Sequence, residues 1–126
     1  MYDRILVNSS LTQIQSLLHT ITERSAKIKD IDDFYLSPNG MLLLDALCMN
    51  LIALGEAVKN LDKVSNKQLL IRYRQIDWGG IMRMRDKIAH HYFEVDAEVV
   101  LLTVQEDIPL VKAAIKQIVG DLTAEK

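Results

Sequence analysis

A short segment near residue 90 gathers side chains suited to acid–base and phosphate chemistry. Arg85, His90 and Tyr92 lie within eight residues, and Lys87 and His91 lie between them. A guanidinium carries a permanent charge and a fork of donors that matches phosphate oxygens. An imidazole titrates near neutral pH, so it can deprotonate a ribose 2′-hydroxyl or protonate a leaving oxygen. Together these groups could cleave RNA without a metal, because the arginine would stabilise the charge of a phosphorane-like transition state.

The same segment is the basic part of an acidic chain. The 126 residues have a net charge of −2 and a pI of about 5.9, which argues against a protein that binds nucleic acid over its whole surface. Residues 72–91, however, hold five Arg or Lys against two Asp, a local charge of +3. An anionic ligand is therefore expected here, although Arg72, Arg74 and Arg83 could equally form a solvated helix face.

Helix geometry limits how these side chains can meet. Arg85 and Tyr92 are seven residues apart and would point almost the same way on one helix. Arg85 and His90 are five apart, about 140° around the axis, and would not converge. Either the helix ends at His90 and the chain turns, or two copies of the site meet across a two-fold axis.

Two long helices are predicted in the first half of the chain. Ser9 or Ser10 can cap the first. Its apolar side chains follow three- and four-residue spacing: Leu11, Ile14, Leu18, Ile21 and Ile28. The second is predicted from Pro38 to Asn60, capped by Ser37. Fifteen of the 21 residues from 41 to 61 are hydrophobic, so this helix is expected at the centre of a bundle or beneath a partner.

Capping residues mark three further helices. Ser65 and Gln68 form a capping-box pattern that predicts a short third helix, ending near residue 74. Asp77 is expected to cap a fourth helix and Asp96 a fifth.

An interruption is expected in the fifth helix at Pro109, as a kink or as a restart capped by Asp107. No stretch alternates with period two, so the sequence predicts an all-α, antiparallel up-and-down bundle of four to five helices that forms dimers.

Length and composition narrow the class further. Residues 1–126 are expected to form a single helical domain. The lone Cys48 excludes a disulfide framework and a cysteine-based zinc site within the chain, and we expect it to be a buried, inert thiol. Asp45, Asn50, Glu56 and Lys59 interrupt the most apolar stretch, and no signal-peptide pattern opens the sequence. We therefore expect a cytoplasmic protein without membrane association.

The spacing Arg, four residues, His, one residue, Tyr resembles the HEPN superfamily, and within it the HepT-like ribonuclease toxins. Here the motif comprises Arg85, His90 and Tyr92. The resemblance covers about Asp32 to Ile118. Four flanking runs are also similar to the family: Leu54-Gly55-Glu56-Ala57, Ile76-Asp77-Trp78, Tyr92-Phe93-Glu94-Val95-Asp96 and Glu106-Asp107-Ile108-Pro109. Two positions depart from it: Asp77 stands where the family often has proline, and His91 where it often has a small residue.

The resemblance implies a homodimer that brings two motifs into one positively charged cleft. Arg85 and His90 would cleave RNA without a metal or a cofactor, and Lys87 and His91 would be secondary phosphate contacts. The implied partner is an MntA-like minimal nucleotidyltransferase antitoxin, which would use ATP to transfer AMP onto Tyr92. The alternative is a non-catalytic accessory or substrate-binding subunit of that nucleotidyltransferase. A purely structural helical dimer is the third hypothesis.

Several other residues have simpler interpretations. Trp78 is expected to anchor the core or an interface, and His19 to lie on the surface. Glu56 lies in the apolar second helix, so a buried carboxylate paired with Arg83 or Arg85 is one expectation. We expect no metal site, since adjacent helical side chains such as those of the two neighbouring histidines diverge by about 100°.

Overall fold

The described part of the chain is almost entirely helical. This computed structural model describes residues 2–90 and 94–125, and of His90 and Glu94 the backbone alone. Its helices are α1 (Arg4–Ser25), α2 (Asp32–Tyr35), α3 (Pro38–Val64), α4 (Trp78–Met82), α5 (Met84–Ile88), α6 (Ala97–Leu102) and α7 (Ile108–Ala124). A two-residue antiparallel ladder pairs β1 (Ala89–His90) with β2 (Glu94–Val95). The predicted all-α class is confirmed. The short ladder was not predicted, because no period-two pattern in the sequence indicates it.

The two longest helices, α1 and α3, lie antiparallel. Near one end, Arg24 Nη1 donates to Asn50 Oδ1 at 2.7 Å, and near the other Asn60 Nδ2 donates to Ser10 Oγ at 3.5 Å. The predicted apolar stripe of α1 is buried against α3, whose side chains at Leu47, Leu51, Leu54, Val58 and Leu61 are fully buried. The central position expected for this apolar helix is therefore confirmed.

Helix α1 begins earlier than the sequence predicts. The Asp3 side chain accepts hydrogen bonds from the backbone N–H groups of Ile5 (2.8 Å) and Leu6 (3.4 Å). Ser9 and Ser10 lie inside the helix, so the expectation that either caps it was wrong. The Asp3 carboxylate, which lies nearer the N-terminus, satisfies free N–H donors of the first turn, so the helix starts there.

Glycines let two short elements pack directly on α3. A Cβ at Gly55 would lie 2.6 Å from the carbonyl oxygen of Ile81, so the backbone of α4 rests on α3 at this point. A Cβ at Gly40 would collide with the carbonyl oxygen of Asp33 in α2. The Gly55 contact fixes the distance between α3 and the segment that carries the basic residues.

The third predicted helix is absent. Ser65 ends α3 instead of opening a new helix, and Asn66 and Lys67 follow with positive φ angles of 55° and 59°. Only a 3-10 turn, Leu70–Arg72, forms beyond them. The Ser65–Gln68 capping-box prediction was wrong because this left-handed pair reverses the chain before a new helix can start.

Residues 70–77, which we call the strap, run antiparallel along α7. The Tyr73 hydroxyl donates to Asp121 Oδ2 at 2.8 Å, and Gln75 Nε2 donates to Gln117 Oε1 at 3.3 Å. Burial, and next the hydrogen bond to Asp121, raise the pKa of Tyr73 to about 12. The strap thus connects the end of α3 to the start of α4 along a fixed path.

Helices α6 and α7 are joined by one π-helical turn, Thr103–Asp107. The Ile108 N–H donates to the Thr103 carbonyl five residues back, which widens the backbone just before Pro109. Pro109 then lies at the start of α7, where its missing donor costs little. The alternative of a restart capped by Asp107 was wrong, since the Asp107 side chain makes no cap bond.

Helix α3 is long and apolar enough to cross a membrane if only length and composition are considered. Its most apolar 18-residue window has a mean hydropathy of 1.8, and 44% of that window is buried in the structure. Central helices of helical bundles have the same character. Here α3 packs against α1, α2, α4, α5 and α6.

Candidate nucleic-acid interface

The predicted fourth helix forms but is broken at Arg83 into α4 and α5. Asp77 caps α4 as expected, its side chain accepting from the N–H of Gly80 at 3.0 Å. The Arg83 backbone then departs from helical geometry, with φ −97° and ψ 24°. Arg85 therefore projects from a helix of only five residues, Met84–Ile88.

The core holds this short helix by two side chains. Met84 and Ile88, four residues apart, are fully buried, whereas Arg85, Asp86 and Lys87 between them are exposed. Upstream, Trp78 is buried as predicted, and its indole N–H donates to the Tyr73 carbonyl at 2.8 Å. Because one side of α5 is buried in the core, its charged side chains lie on the opposite, exposed side.

Arg85 lines a groove of about 230 Å³, which we call the Arg85 groove. Its walls come from α3 and from the segment around the α4–α5 break: Ile52, Glu56, Lys59, Met82, Arg83, Arg85 and Asp86. Three cations face two carboxylates there. This arrangement can bind an anion such as a phosphate while carboxylates remain available to orient the cations.

Glu56 differs from its prediction. Its side chain is 58% exposed, and Oε2 lies 3.2 Å from Lys59 Nζ, so it is not a buried carboxylate that requires an arginine partner. Glu56 nevertheless lines the Arg85 groove together with Arg83 and Arg85. Sequence spacing placed it on the correct helix, but the helix turns this position towards solvent.

Lys87 lies on the other side of α5 from Arg85. Its ammonium is 3.2 Å from Asp107 Oδ2, at the start of α7. It lines a different groove, also of about 230 Å³, with Gln75 and Asp77 of the strap. Two residues correspond to about 200° around a helix, so the structure does not bring Lys87 and Arg85 into one groove.

The chain leaves its helix before His90. Helix α5 ends at Ile88, Ala89 is extended (φ −118°, ψ 124°), and His90 lies opposite Glu94 in the two-stranded ladder. Arg85 and His90 therefore do not lie on one continuous helix, and the 140° separation expected for such a helix does not apply. This agrees with the alternative in which the helix ends and the chain turns. The side chain of His90 and the whole of His91 and Tyr92 lie outside the described residues.

The other arginines of the basic segment lie in different surroundings. Arg72 Nη2 lies 3.0 Å from Glu125 Oε1, and its guanidinium carbon lies 5.9 Å from the centre of the Tyr73 ring, so Arg72 ties the strap to the end of α7. Arg74 is exposed. Arg72, Arg74 and Arg83 were the three arginines that could have formed a solvated face. Of these, Arg83 alone lines the Arg85 groove.

The described residues contain no cluster of three or more His, Cys, Asp or Glu side chains able to hold one metal ion. His19, predicted on the surface, is exposed and lies 3.1 Å from Glu23. Cys48 is buried as expected.

The sequence comparison assigns this helical bundle to a known class of protein. The family described as "Ribonuclease HepT-like" matches residues 8–118. The chain therefore belongs to the HepT-like family, which is part of the HEPN superfamily of ribonucleases.

Relatives support this assignment over most of the chain. The "Putative RNase MJ0127" of Methanocaldococcus jannaschii is 33% identical over 121 residues, covering 89% of this chain and 92% of that protein. The "Probable ribonuclease HepT" of Thermococcus cleftensis is 42% identical over 65 residues, covering 52% and 56%.

The "Gamma-glutamylcyclotransferase and putative RNase MJ0434" of M. jannaschii is 32% identical and matches 98% of this chain, which spans half of that longer protein. No solved structure matches the chain.

Proposed function

We propose that this protein is a metal-independent endoribonuclease toxin that acts as a cytoplasmic homodimer. The observation that carries the proposal is the position of Arg85: exposed on a five-residue helix, in a groove with Arg83 and Lys59, five residues before His90. Membership of the HepT-like family supports RNA as the substrate. The pair of Arg85 and His90 would perform the cleavage.

Arg85 would bind the scissile phosphate and stabilise its transition state. A guanidinium makes two parallel hydrogen bonds to phosphate oxygens and keeps its charge at any physiological pH. As the 2′-oxygen attacks, negative charge grows on the non-bridging oxygens, where a fixed cation is most effective. Arg83 and Lys59 in the same groove would attract the neighbouring phosphates.

His90 would move the protons. One imidazole removes the proton of the 2′-hydroxyl as its oxygen bonds to phosphorus, and a protonated imidazole donates to the departing 5′-oxygen. The products are a 2′,3′-cyclic phosphate and a 5′-hydroxyl, and no water or metal is consumed in this step. A homodimer would supply two copies of His90 to one cleft, one for each proton transfer.

An MntA-like nucleotidyltransferase antitoxin would silence the enzyme by transferring AMP from ATP to the Tyr92 hydroxyl, which loses its proton as pyrophosphate is released. The added phosphate would repel RNA beside Arg85. His91 and Lys87 would be secondary phosphate contacts, and Lys87 would have to leave Asp107 to serve in this way.

The test is cleavage of a mixed RNA pool by the purified chain in the presence of EDTA. Arg85→Ala and His90→Ala should each reduce the rate by at least about a hundredfold, the usual contribution of a group that stabilises transition-state charge and of a positioned acid or base, respectively. Arg74→Ala is the matched control, because it removes an exposed arginine of the same basic segment outside the groove. Equal cleavage by the wild type and all three variants would refute the assignment of Arg85 and His90.

The accessory-subunit hypothesis predicts a different result. The unmodified chain would then bind the nucleotidyltransferase and dimerise but leave RNA intact at every protein concentration. Intact-mass measurement after co-expression with the transferase completes the comparison: a gain in units of AMP that is lost in Tyr92→Phe supports the proposed silencing.

A further inference from the structure

A second basic groove lies between α1 and α7, away from the Arg85 groove. It has a volume of about 340 Å³, and we call it the α1–α7 groove. Its lining residues are Gln15, Leu18, His19, Lys112, Ile115 and Lys116. It shares no residue with the Arg85 groove, and α1 contributes nothing to that site.

The charge of this groove is unbalanced. Lys112 and Lys116 are one helical turn apart, so their ammonium groups repel each other on the same face of α7. No ion pair involves either lysine within the part of the chain that the structure describes, and no carboxylate lines the groove. The nearby Glu23 contacts His19 instead, at 3.1 Å.

Two other lysines of the described chain are paired with carboxylates. Lys59 lies 3.2 Å from Glu56, and Lys87 lies 3.2 Å from Asp107. The two lysines of the α1–α7 groove differ from these, because an added anion would both screen their repulsion and meet no competing carboxylate.

The floor of the groove is apolar and rigid. Leu18 is 3% exposed and Ile115 is 1% exposed, so each presents a small apolar surface from a fixed position in the core. Gln15 and His19 also line the groove, and both side chains carry groups that can donate or accept hydrogen bonds. A ligand that fits would carry a negative charge for the two lysines beside groups that can hydrogen-bond to Gln15 or His19.

We infer that the α1–α7 groove binds a nucleoside phosphate. The phosphate would lie between Lys112 and Lys116, and the nucleoside would occupy the rest of the groove beside Gln15 and His19. The inference rests on the proposed function in one respect: the nucleoside phosphate is expected to be part of an RNA strand bound outside the cleavage motif. The same chemistry could come from a free mononucleotide, and the experiment distinguishes the two sources.

The experiment measures binding of a fluorescein-labelled, ten-nucleotide 2′-O-methyl RNA by fluorescence anisotropy at several salt concentrations. Methylation of the 2′-oxygen prevents cleavage during the titration. Lys112→Gln/Lys116→Gln should weaken binding about three- to tenfold. It should also reduce the slope of log affinity against log salt by about 0.7, the contribution of the one phosphate contact that is lost on a single strand.

Lys63→Gln/Lys67→Gln is the matched control. It removes the same charge from two exposed lysines near the end of α3, and it should leave the slope unchanged. Thermal denaturation of each protein verifies that none of these surface changes alters the fold.

AMP, titrated into the same proteins by calorimetry, is the second arm. Loss of AMP binding in the groove variant with unchanged RNA binding would identify a free nucleotide as the ligand. RNA and AMP binding that both equal those of the wild type would overturn the inference.

The cleavage assay with Arg85→Ala is read separately. A groove variant that loses affinity while Arg85→Ala still cleaves would contradict the proposed catalytic pair and leave the α1–α7 groove standing.

Discussion

Arg85 is exposed because the two residues that anchor its helix, Met84 and Ile88, are completely buried. The core thus fixes the backbone at both ends of the helix while the guanidinium faces the groove. Such an arrangement suits a group that must bind phosphate from a fixed position, because less backbone entropy is lost on binding. Arg83 marks the helix break and brings a second guanidinium to the same place.

The thiol of Cys48 is predicted to be unreactive in the folded protein. Burial, and secondly the nearby Asp45 carboxylate, raise its pKa to about 11. Only the thiolate reacts, so at pH 8 about one molecule in a thousand is competent, and this fraction rises tenfold with each pH unit up to the pKa. Alkylation by iodoacetamide, followed by intact mass, should be slow at pH 8 and rapid once urea unfolds the chain.

Asp45→Asn is the control for this prediction. Removing the carboxylate should lower the pKa of Cys48 modestly and accelerate alkylation of the folded protein, while the rate in urea stays the same. Complete labelling of the native protein within minutes at pH 8 would contradict the burial of the thiol.

At the scale of elements, local signals succeeded where the residues that determine an element are adjacent. Ser37 accepts a hydrogen bond from the Gly40 N–H at 2.9 Å and Pro38 opens α3, as the Ser-Pro pair predicted. The caps at Asp77 and Asp96 were also confirmed. In each case a side chain satisfies a free backbone donor three residues away, which spacing alone can predict.

Elements that depend on distant contacts were not readable in the same way. The strap replaced a predicted helix because Tyr73 and Gln75 bond to α7, more than forty residues away. The break at Arg83 lies where the backbone of α4 packs closely on Gly55, a contact between residues far apart in the sequence. The candidate site was therefore located by residue type, but its division into two grooves required the packed structure.

Gly55→Ala is predicted to separate α4 from α3. The new methyl group would meet the Ile81 carbonyl oxygen at 2.6 Å, and a backbone atom cannot rotate away as a side chain would. Overpacking of this kind costs about 1–3 kcal/mol, more than the roughly 1 kcal/mol gained in helix propensity. Urea denaturation should show a lower free energy of unfolding, and RNA cleavage should fall because Arg83 and Arg85 move with α4.

Gly120→Ala provides the matched comparison. A Cβ at Gly120, in the last turns of α7, meets nothing within 4 Å, so the substitution should stabilise the protein by up to about 1 kcal/mol and leave cleavage unchanged. Opposite signs for the two glycines would support direct contact between α4 and α3. A stabilising Gly55→Ala would contradict it.

For the whole molecule, the charge distribution matters more than the total. A net charge of −2 disfavours general attraction to RNA, so affinity must come from local grooves such as the one around Arg85. Binding of this kind weakens steeply with salt.

The exposed face of α3 connects this local site to the proposed dimer. Leu42 and Met49 are each 67% exposed, and Glu56 follows after a further seven residues on the same face. Glu56 lines the Arg85 groove, so an apolar stripe on α3 leads directly to the candidate site. A two-fold axis through this stripe would cover the apolar side chains and bring two Arg85 grooves together.

Met49→Glu is therefore predicted to give monomers and to abolish cleavage, although Met49 does not line the Arg85 groove. Light scattering after gel filtration should report twice the chain mass of 14.3 kDa for the wild type and 14.3 kDa for the variant. Ile5→Glu, which places the same charge at an exposed position of α1, should remain dimeric and active. A Met49→Glu dimer with full activity would move the interface away from α3, whereas an active monomer would show that one copy of Arg85 and His90 is sufficient for cleavage.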